Sequence, residues 1–276
     1  MKSLRWTGLA LLAALSACGE KKRASGVDFA AYGDARHEPK VHRRIVDSIA
    51  SSGAKYVVVT GDLVDHAEDE AEWLEVRDIL KDLRSRARYY CAVGDHDPGT
   101  KNYFEREMGE TRMYYDKREG DVHLFILDSR EKFTDAPQLE WLKKTATAST
   151  AKHKFAVFHH PPFMIYEKRM KEADVIRPNI HPLLVELKFC AAFCGHQHAF
   201  YSTKRDGLRY VVTAGGGAPL RNIDVANGQP GDLARKFFHW VGLKFAGSKI
   251  EAHVYDDEGV EAEDLGFTLC EHPPQP

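Results

Sequence analysis

The chain has 276 residues, 39 of them Lys or Arg against 41 Asp or Glu, for a formal net charge of -2. With 43% hydrophobic and 29% charged residues it has the make-up of a folded protein, which excludes disordered, collagen-like and multi-span membrane classes. The near-neutral balance offers no bulk positive field, so no nucleic-acid partner is implied, while 14 His direct attention to metal ligands.

The first eighteen residues read as an address. Lys2 and Arg5 flank the start of an apolar run from Trp6 to Leu15, too short for a bilayer span of about 20 residues. The run ends in Leu15-Ser16-Ala17-Cys18, which resembles a bacterial lipobox with Cys18 as the lipidated residue. A signal peptide over 1–17, a flexible tether over 18–26 and one domain over 27–276 are expected. The location that follows is an exported, membrane-anchored lipoprotein, periplasmic or at the cell surface, and a monomer. A plain secretory signal with an incidental cysteine is the alternative. Export permits disulfides among Cys91, Cys190, Cys194 and Cys270, with three possible pairings, but four buried thiols are the preferred reading.

Apolar strands then alternate with helical stretches. Val27 to Tyr32 reads as a strand leading into Gly33-Asp34, and Val41, Ile45, Val46 and Ile49 share one helical face. Tyr56 to Thr60 is a β-branched run ending at Gly61-Asp62, and Glu70 to Leu83 is amphipathic. Tyr89 to Val93 leads into Gly94-Asp95, Val122 to Leu127 into Asp128-Ser129, and Lys154 to Phe158 into His159-His160, with a helix over 138–144 between the last two. Phe189 to Phe193 precedes Gly195-His196, and Tyr210 to Thr213 precedes Gly215-Gly216-Gly217. Phe237 to Tyr255 reads as antiparallel strands. No internal repeat and no dividing linker follows residue 26.

Strand after strand thus ends in Asp or His, and open sheets gather ligands at the carboxyl ends of their strands. Asp34, Asp62 with Asp65, Asp95 with His96, His159 with His160, and His196 with His198 occupy such ends. Carboxylates and imidazoles from several strands can surround one or two metal ions. For His42, His66, His123, His153, His181, His239, His253 and His272 a surface or satisfied core place is expected; His160, beside Pro161-Pro162, is expected to line the pocket.

Asp34, Gly61-Asp62-Leu63-Val64-Asp65, Gly94-Asp95-His96-Asp97, His159 and Gly195-His196-Gln197-His198 resemble, in this order, the blocks of the calcineurin-like metallophosphoesterases. Leu127-Asp128-Ser129, Gln138-Leu139-Glu140-Trp141-Leu142, His159-His160-Pro161-Pro162-Phe163 and Gly215-Gly216-Gly217-Ala218-Pro219-Leu220 resemble the purple-acid-phosphatase-like branch. The resemblance spans roughly residues 27–269. It implies an α/β (α+β) fold, a four-layer αββα sandwich of two mixed β-sheets flanked by helices. It implies hydrolysis of a phosphate mono- or diester by metal-activated water, with two divalent or trivalent ions (Fe, Mn or Zn).

Carried over by block, the resemblance makes Asp62 the bridge between the two ions. Asp34 and His198 would hold the first, and Asp95, His159 and His196 the second. His96 would be the general acid, with Asp97 orienting its ring. Two positions depart from the pattern. Arg36 stands where an imidazole ligand is usual, and a guanidinium ligates no cation. The first site is therefore expected to be the weaker, with His37 or Asp65 as replacement ligands and Arg36 as a fork for substrate phosphate. Asp95 stands where Asn is common, adding charge to the second, firmer site. Both departures also fit the alternative function, a catalytically impaired lipoprotein of this fold with a binding or scaffolding role.

Overall fold

The computed structural model describes residues 21–247 and 249–271. The expected signal peptide over 1–17 and the expected lipid anchor at Cys18 fall outside the described residues, as does His272.

Two sheets form the centre. The first has strand order β13-β12-β11-β1-β2-β3, from Phe267–Glu271, Lys249–Asp256, His239–Ala246, Phe29–Tyr32, Tyr56–Val59 and Arg88–Cys91. The second has order β10-β8-β9-β7-β6-β5-β4, from Leu233–Arg235, Phe200–Arg205, Leu208–Thr213, Ala191–Cys194, His153–Val157, Val122–Ile126 and Tyr115–Glu119. Both are mixed: β1, β2 and β3 run parallel, as do β5, β6, β7 and β9, and the remaining pairings are antiparallel.

The two-residue side-chain period of a strand sorts each one between two cores. Phe29, Ala31 and Val58 face the core shared by the two sheets, where Leu124, Ile126, Phe155, Val157 and Phe193 meet them. Ala30, Tyr32, Val57 and Val59 face the opposite way, against α1 (Pro39–Ser52) and α2 (Glu70–Arg86). Phe125, Ala156, Ala192 and Cys194 likewise face α4 (Ala136–Thr147) and α5 (Met170–Glu186) on the far side. The layers are helix, sheet, sheet, helix, the expected αββα sandwich.

Register brings the functional loops level. Tyr32 lies opposite Val59 and Val59 opposite Cys91, so β1, β2 and β3 end together. In the second sheet Ile126 lies opposite Val157 and Val157 opposite Phe193. The carboxyl ends of both parallel sets therefore open on one rim.

Several elements escape the sequence reading or depart from it, β8, β10 and β13 among them. Helix α5 carries Pro178 and Pro182, which argue against a helix, yet both are exposed while Ala173, Ile176, Ile180 and Leu184 are buried on the other face. The short helix α3 (Tyr103–Met108) and the edge strand β4 carry too little apolar periodicity to be legible. Residues 21–26, expected within a flexible tether, run along the domain instead. Ala24 N donates to Gly259 O at 2.9 Å, Glu261 N to Lys22 O at 2.8 Å, and Lys22 Nζ pairs with Glu261 at 2.8 Å. The preference for four free thiols is also corrected: Cys190 and Cys270 form a disulfide, with Cα atoms 5.8 Å apart, while Cys91 and Cys194 are buried thiols. This bridge joins β13 of one sheet to the residue before β7 of the other.

The crosslink closes a separation of 80 residues, so replacing both cysteines by serine should lower unfolding free energy by about 2–4 kcal/mol. Denaturant melts of the oxidised, reduced and double-serine proteins check this; identical midpoints would show that the bridge adds nothing.

Candidate metal centre

Each functional side chain is aimed by a sharp turn at a strand end. Asp34, Asp62, His196 and His198 all have left-handed backbones, with φ of 55°, 59°, 69° and 51°. For non-glycine residues this costs roughly 1–3 kcal/mol each and persists only where the surroundings over-determine it. Here they do. Asp34 N donates to Gly61 O at 2.9 Å, Ala35 N to Asp62 O and Ala218 N to Asp34 O at 2.8 Å, and Gly195 N to His159 O at 2.9 Å. Two glycines of the motifs are required by close approach: a Cβ on Gly94 would lie 2.2 Å from Asp62 Oδ1, and one on Gly195 2.6 Å from Asp34 Oδ2.

The side chains fall into two adjacent pockets. In one, Asp95, His159, His160 and His196 bring a ligand atom each to within 4.8 Å of one another. His159 Nδ1–H donates to Thr60 O at 2.7 Å, which leaves its Nε2 facing inward, 2.8 Å from Asp95 Oδ1 and 3.1 Å from His196 Nδ1. His196 Nε2 is 3.0 Å from Glu172 Oε2, and its Nδ1 turns inward toward His159. His160 Nδ1 meets Ser129 Oγ at 2.9 Å, and its Nε2 lies 3.7 Å from Asp95 Oδ1. Burial works against the imidazolium at His159, yet the charges of Asp62, Asp95 and Asp34 outweigh it and push its pKa up to about 10. Burial, with His159 and His196 beside it, drives His160 down to about 2. Imidazole nitrogens and a carboxylate converging at such distances suit Zn, Mn or Fe, and two facing ring nitrogens 3.1 Å apart call for a shared cation. The set fits a metal ion. His160, expected only to line the pocket, stands among its ligand atoms.

In the other pocket Asp34, Asp62 and His198 are grouped in the same way. His198 Nδ1–H donates to Pro219 O at 2.9 Å, and Nε2 points to Asp34 Oδ1 at 3.4 Å. Burial lowers His198 to about 3 and raises Asp34 to about 7. Asp62 stands between the pockets, its Oδ2 3.5 Å from His159 Nε2 and 3.3 Å from Arg36 Nε, its Oδ1 accepting from His96 N at 3.1 Å. Arg36 does not reach outward as a phosphate fork. It is only 8% exposed and lies inward, with Nη1 donating to Asp65 Oδ1 at 2.6 Å. Neither His37 nor Asp65 replaces the missing ligand, because both are bound to Arg36 Nη1.

Two further placements differ from expectation. Asp97 does not orient His96. It is fully buried and accepts from the backbone N–H groups of Asp62, Leu63 and Gly94, each at 2.8 Å. Burial, then the charge of Asp62, raises it to about 6 against those donors. His96 Nδ1–H donates to Asp65 O at 3.0 Å instead, and its ring is about a third exposed at the pocket mouth. The sequence reading also missed Arg169 and Glu172. Arg169, in a short turn of helix before α5, packs on the His196 ring, 3.2 Å from Nδ1 and in contact with Nε2, and faces Glu172 at 3.7 Å. The basic pair Lys168-Arg169 was the available signal, but nothing in it indicated that α5 docks here.

The calcineurin-like phosphoesterase family model matches residues 33–200, more than half of the chain, and the chain belongs to that family. Purple acid phosphatase 18 of Arabidopsis thaliana is 23% identical over 209 residues, covering 66% of this chain and 46% of the relative. The purple acid phosphatase PPD1 of yellow lupin (Lupinus luteus) superposes with a TM-score of 0.73 at 16% identity, over 88% of this chain and 54% of that one. The chain thus spans about half the length of these relatives, and it shares the fold of the purple acid phosphatases. GAP50, the anchor in the inner membrane complex of Plasmodium, gives a TM-score of 0.70 at 12% identity, with 89% of both chains covered.

Because Asp97 gathers three backbone donors, Asp97→Asn should turn an amide N–H₂ against them and destabilise the protein by about 1–3 kcal/mol. Denaturant melts measure the loss. Unchanged stability would return Asp97 to a role other than holding this loop.

Proposed function

We propose that this chain is an exported, metal-dependent phosphoesterase that hydrolyses a phosphate mono- or diester at the rim of its two sheets. One observation carries the reading: three inward imidazoles and the Asp95 carboxylate converge on one point, with the partly exposed His96 ring beside them. A metal ion held there by Asp95, His159, His160 and His196, with Asp62 adjacent, would lower the pKa of bound water and polarise the phosphoryl oxygens. The protein groups do the rest. His96, partly exposed and with Nδ1–H held on Asp65 O, has Nε2 left to carry the proton that would pass to the leaving alkoxide. Arg169, a third exposed and touching His196, replaces Arg36 as the guanidinium available to substrate phosphate. The family supports the phosphate-ester substrate. The Cys190–Cys270 disulfide supports export, and the lipobox at Cys18 supports anchoring to a membrane.

Arg36 in the first pocket favours a second reading, a metal-holding scaffold with impaired catalysis, and the GAP50 neighbour is described as an anchor. The deciding experiment is release of product from an aryl phosphate and an aryl phosphodiester by the protein loaded with Mn, Fe or Zn. Hydrolysis abolished by His159→Ala supports the enzyme; no turnover with any of the metals leaves the scaffold.

Two variants refine the roles. His96→Ala should keep its metal and lose about 10²- to 10⁴-fold on alkyl esters, with far less on activated aryl esters. A loss equal across leaving groups would remove His96 from the acid role. Arg169→Ala should lower kcat/KM by roughly 10- to 150-fold, the equivalent of a charge-assisted contact worth about 1.5–3 kcal/mol. An unchanged kcat/KM would show that Arg169 does not meet the phosphate.

A further inference from the structure

The Asp34, Asp62 and His198 pocket contains lone pairs and a buried cation that belongs to the chain itself. His198 Nδ1–H is committed to Pro219 O, so its Nε2 is an acceptor, and it lies 3.4 Å from Arg36 Nη2. Arg36 Nε donates to Asp62 Oδ2 at 3.3 Å, and Nη1 to Asp65 Oδ1 at 2.6 Å. All three guanidinium nitrogens are thus turned on acceptors at this pocket, two of which are the ligand atoms a first metal ion would use. The backbone fixes this arrangement. Asp34 and Ala35 are tied to Gly61 and Asp62 by N–H···O bonds of 2.9 and 2.8 Å, so the side chain of residue 36 starts directly beside Asp62. An ion bonded to Asp62 and His198 at about 2.0–2.2 Å would need the space the guanidinium fills, and like charge would repel it.

The other pocket is different. Arg169 Nη1 stands 3.2 Å from His196 Nδ1 and 3.7 Å from Glu172, but its side chain is a third exposed where Arg36 is buried. Among the described residues Arg169 meets one of the four ligand residues of that set, whereas Arg36 meets two of the three in the first.

We propose that Arg36 is the resident cation of the first pocket, so that this chain holds a single metal ion, in the Asp95, His159, His160 and His196 pocket. The inference rests on the proposed function only in taking that second pocket to bind metal. Asp62 then keeps one oxygen on a guanidinium instead of bridging two ions. His198 becomes a partner of Arg36 and not a metal ligand.

Metal-stripped protein titrated with Mn(II), followed by calorimetry and by elemental analysis after desalting, tests this without any activity measurement. The wild type should take up one ion per chain, and His198→Ala and Arg36→Lys should also take up one. Arg36→His, which removes the fixed charge and supplies an imidazole, should take up two. Two ions in the wild type, a fall in stoichiometry in His198→Ala, or one ion in Arg36→His would each overturn the inference and leave the functional reading standing. No ion in the wild type would overturn both. The wild-type value is decisive by itself, so a variant that fails to fold does not protect the proposal.

Discussion

Several carboxylates and imidazoles are buried at one rim, where water cannot solvate them, and much of the structure follows from compensating that cost. Asp34, Asp62 and Asp97 are essentially inaccessible, as are His159, His196 and His198. Unpaired charge in such a place is too costly to keep, so each group must find a donor, a proton or a cation. Asp97 takes backbone donors, and in doing so joins the turn after β2 to the turn after β3. Asp34 accepts from His196 N with both oxygens at 3.0 Å, which ties the turn after β1 to the turn after β7 in the other sheet. The strained left-handed turns, the glycines that let Asp62 and Asp34 approach, and the level strand ends all serve to close these bonds.

The sequence made the scaffold legible because it obeys local rules. The β-branched run Tyr56 to Thr60 marked β2, the apolar run Val122 to Leu127 marked β5, and the Val41, Ile45, Val46 and Ile49 stripe marked α1. The candidate residues were legible because each follows a strand, and strand ends meet at one edge of a sheet. What could not be read was every partnership made across the chain. Whether Arg36 turns outward or inward depends on Asp62 and Asp65, 26 and 29 residues away. The Asp97 carboxylate looked like a partner for its neighbour His96, but in a tight turn adjacent side chains diverge and the nearest donors are backbone groups. His160 entered the metal pocket because Ser129, 31 residues earlier, holds its other nitrogen. The cysteine pairing was open for the same reason, since Cys190 and Cys270 are brought together only when the two sheets pack. Helix α5 was hidden by prolines that it tolerates on its exposed face, and with it went Glu172 and the approach of Arg169.

The two pockets meet similar electrostatic demands with different kinds of cation, and the difference matters chemically. A guanidinium offers donors in a fixed plane and no open coordination position, so it can neutralise Asp62 and Asp65 but cannot bind and acidify a water molecule. A metal ion can do both. With Arg36 resident in the first pocket, only an ion in the second would be placed to activate water, and the imidazoles there would leave it more of its charge than an all-carboxylate set would. Asp95, charged and 40% exposed, is then the group that trades ion affinity against Lewis acidity. Burial opposes its ionisation, but hydrogen bonds from His159 and His196 hold it far below the usual carboxylate range, so it stays a ligand-ready anion. Arg36 also shares Asp62 with the second pocket, since Asp62 Oδ2 lies within 3.5 Å of both Arg36 Nε and His159 Nε2. By drawing charge from that oxygen it would weaken what Asp62 could donate to an ion held by the neighbouring set. The arginine is thereby coupled to that pocket through one shared carboxylate, and an ion there would be more electrophilic than an unshared Asp62 would leave it.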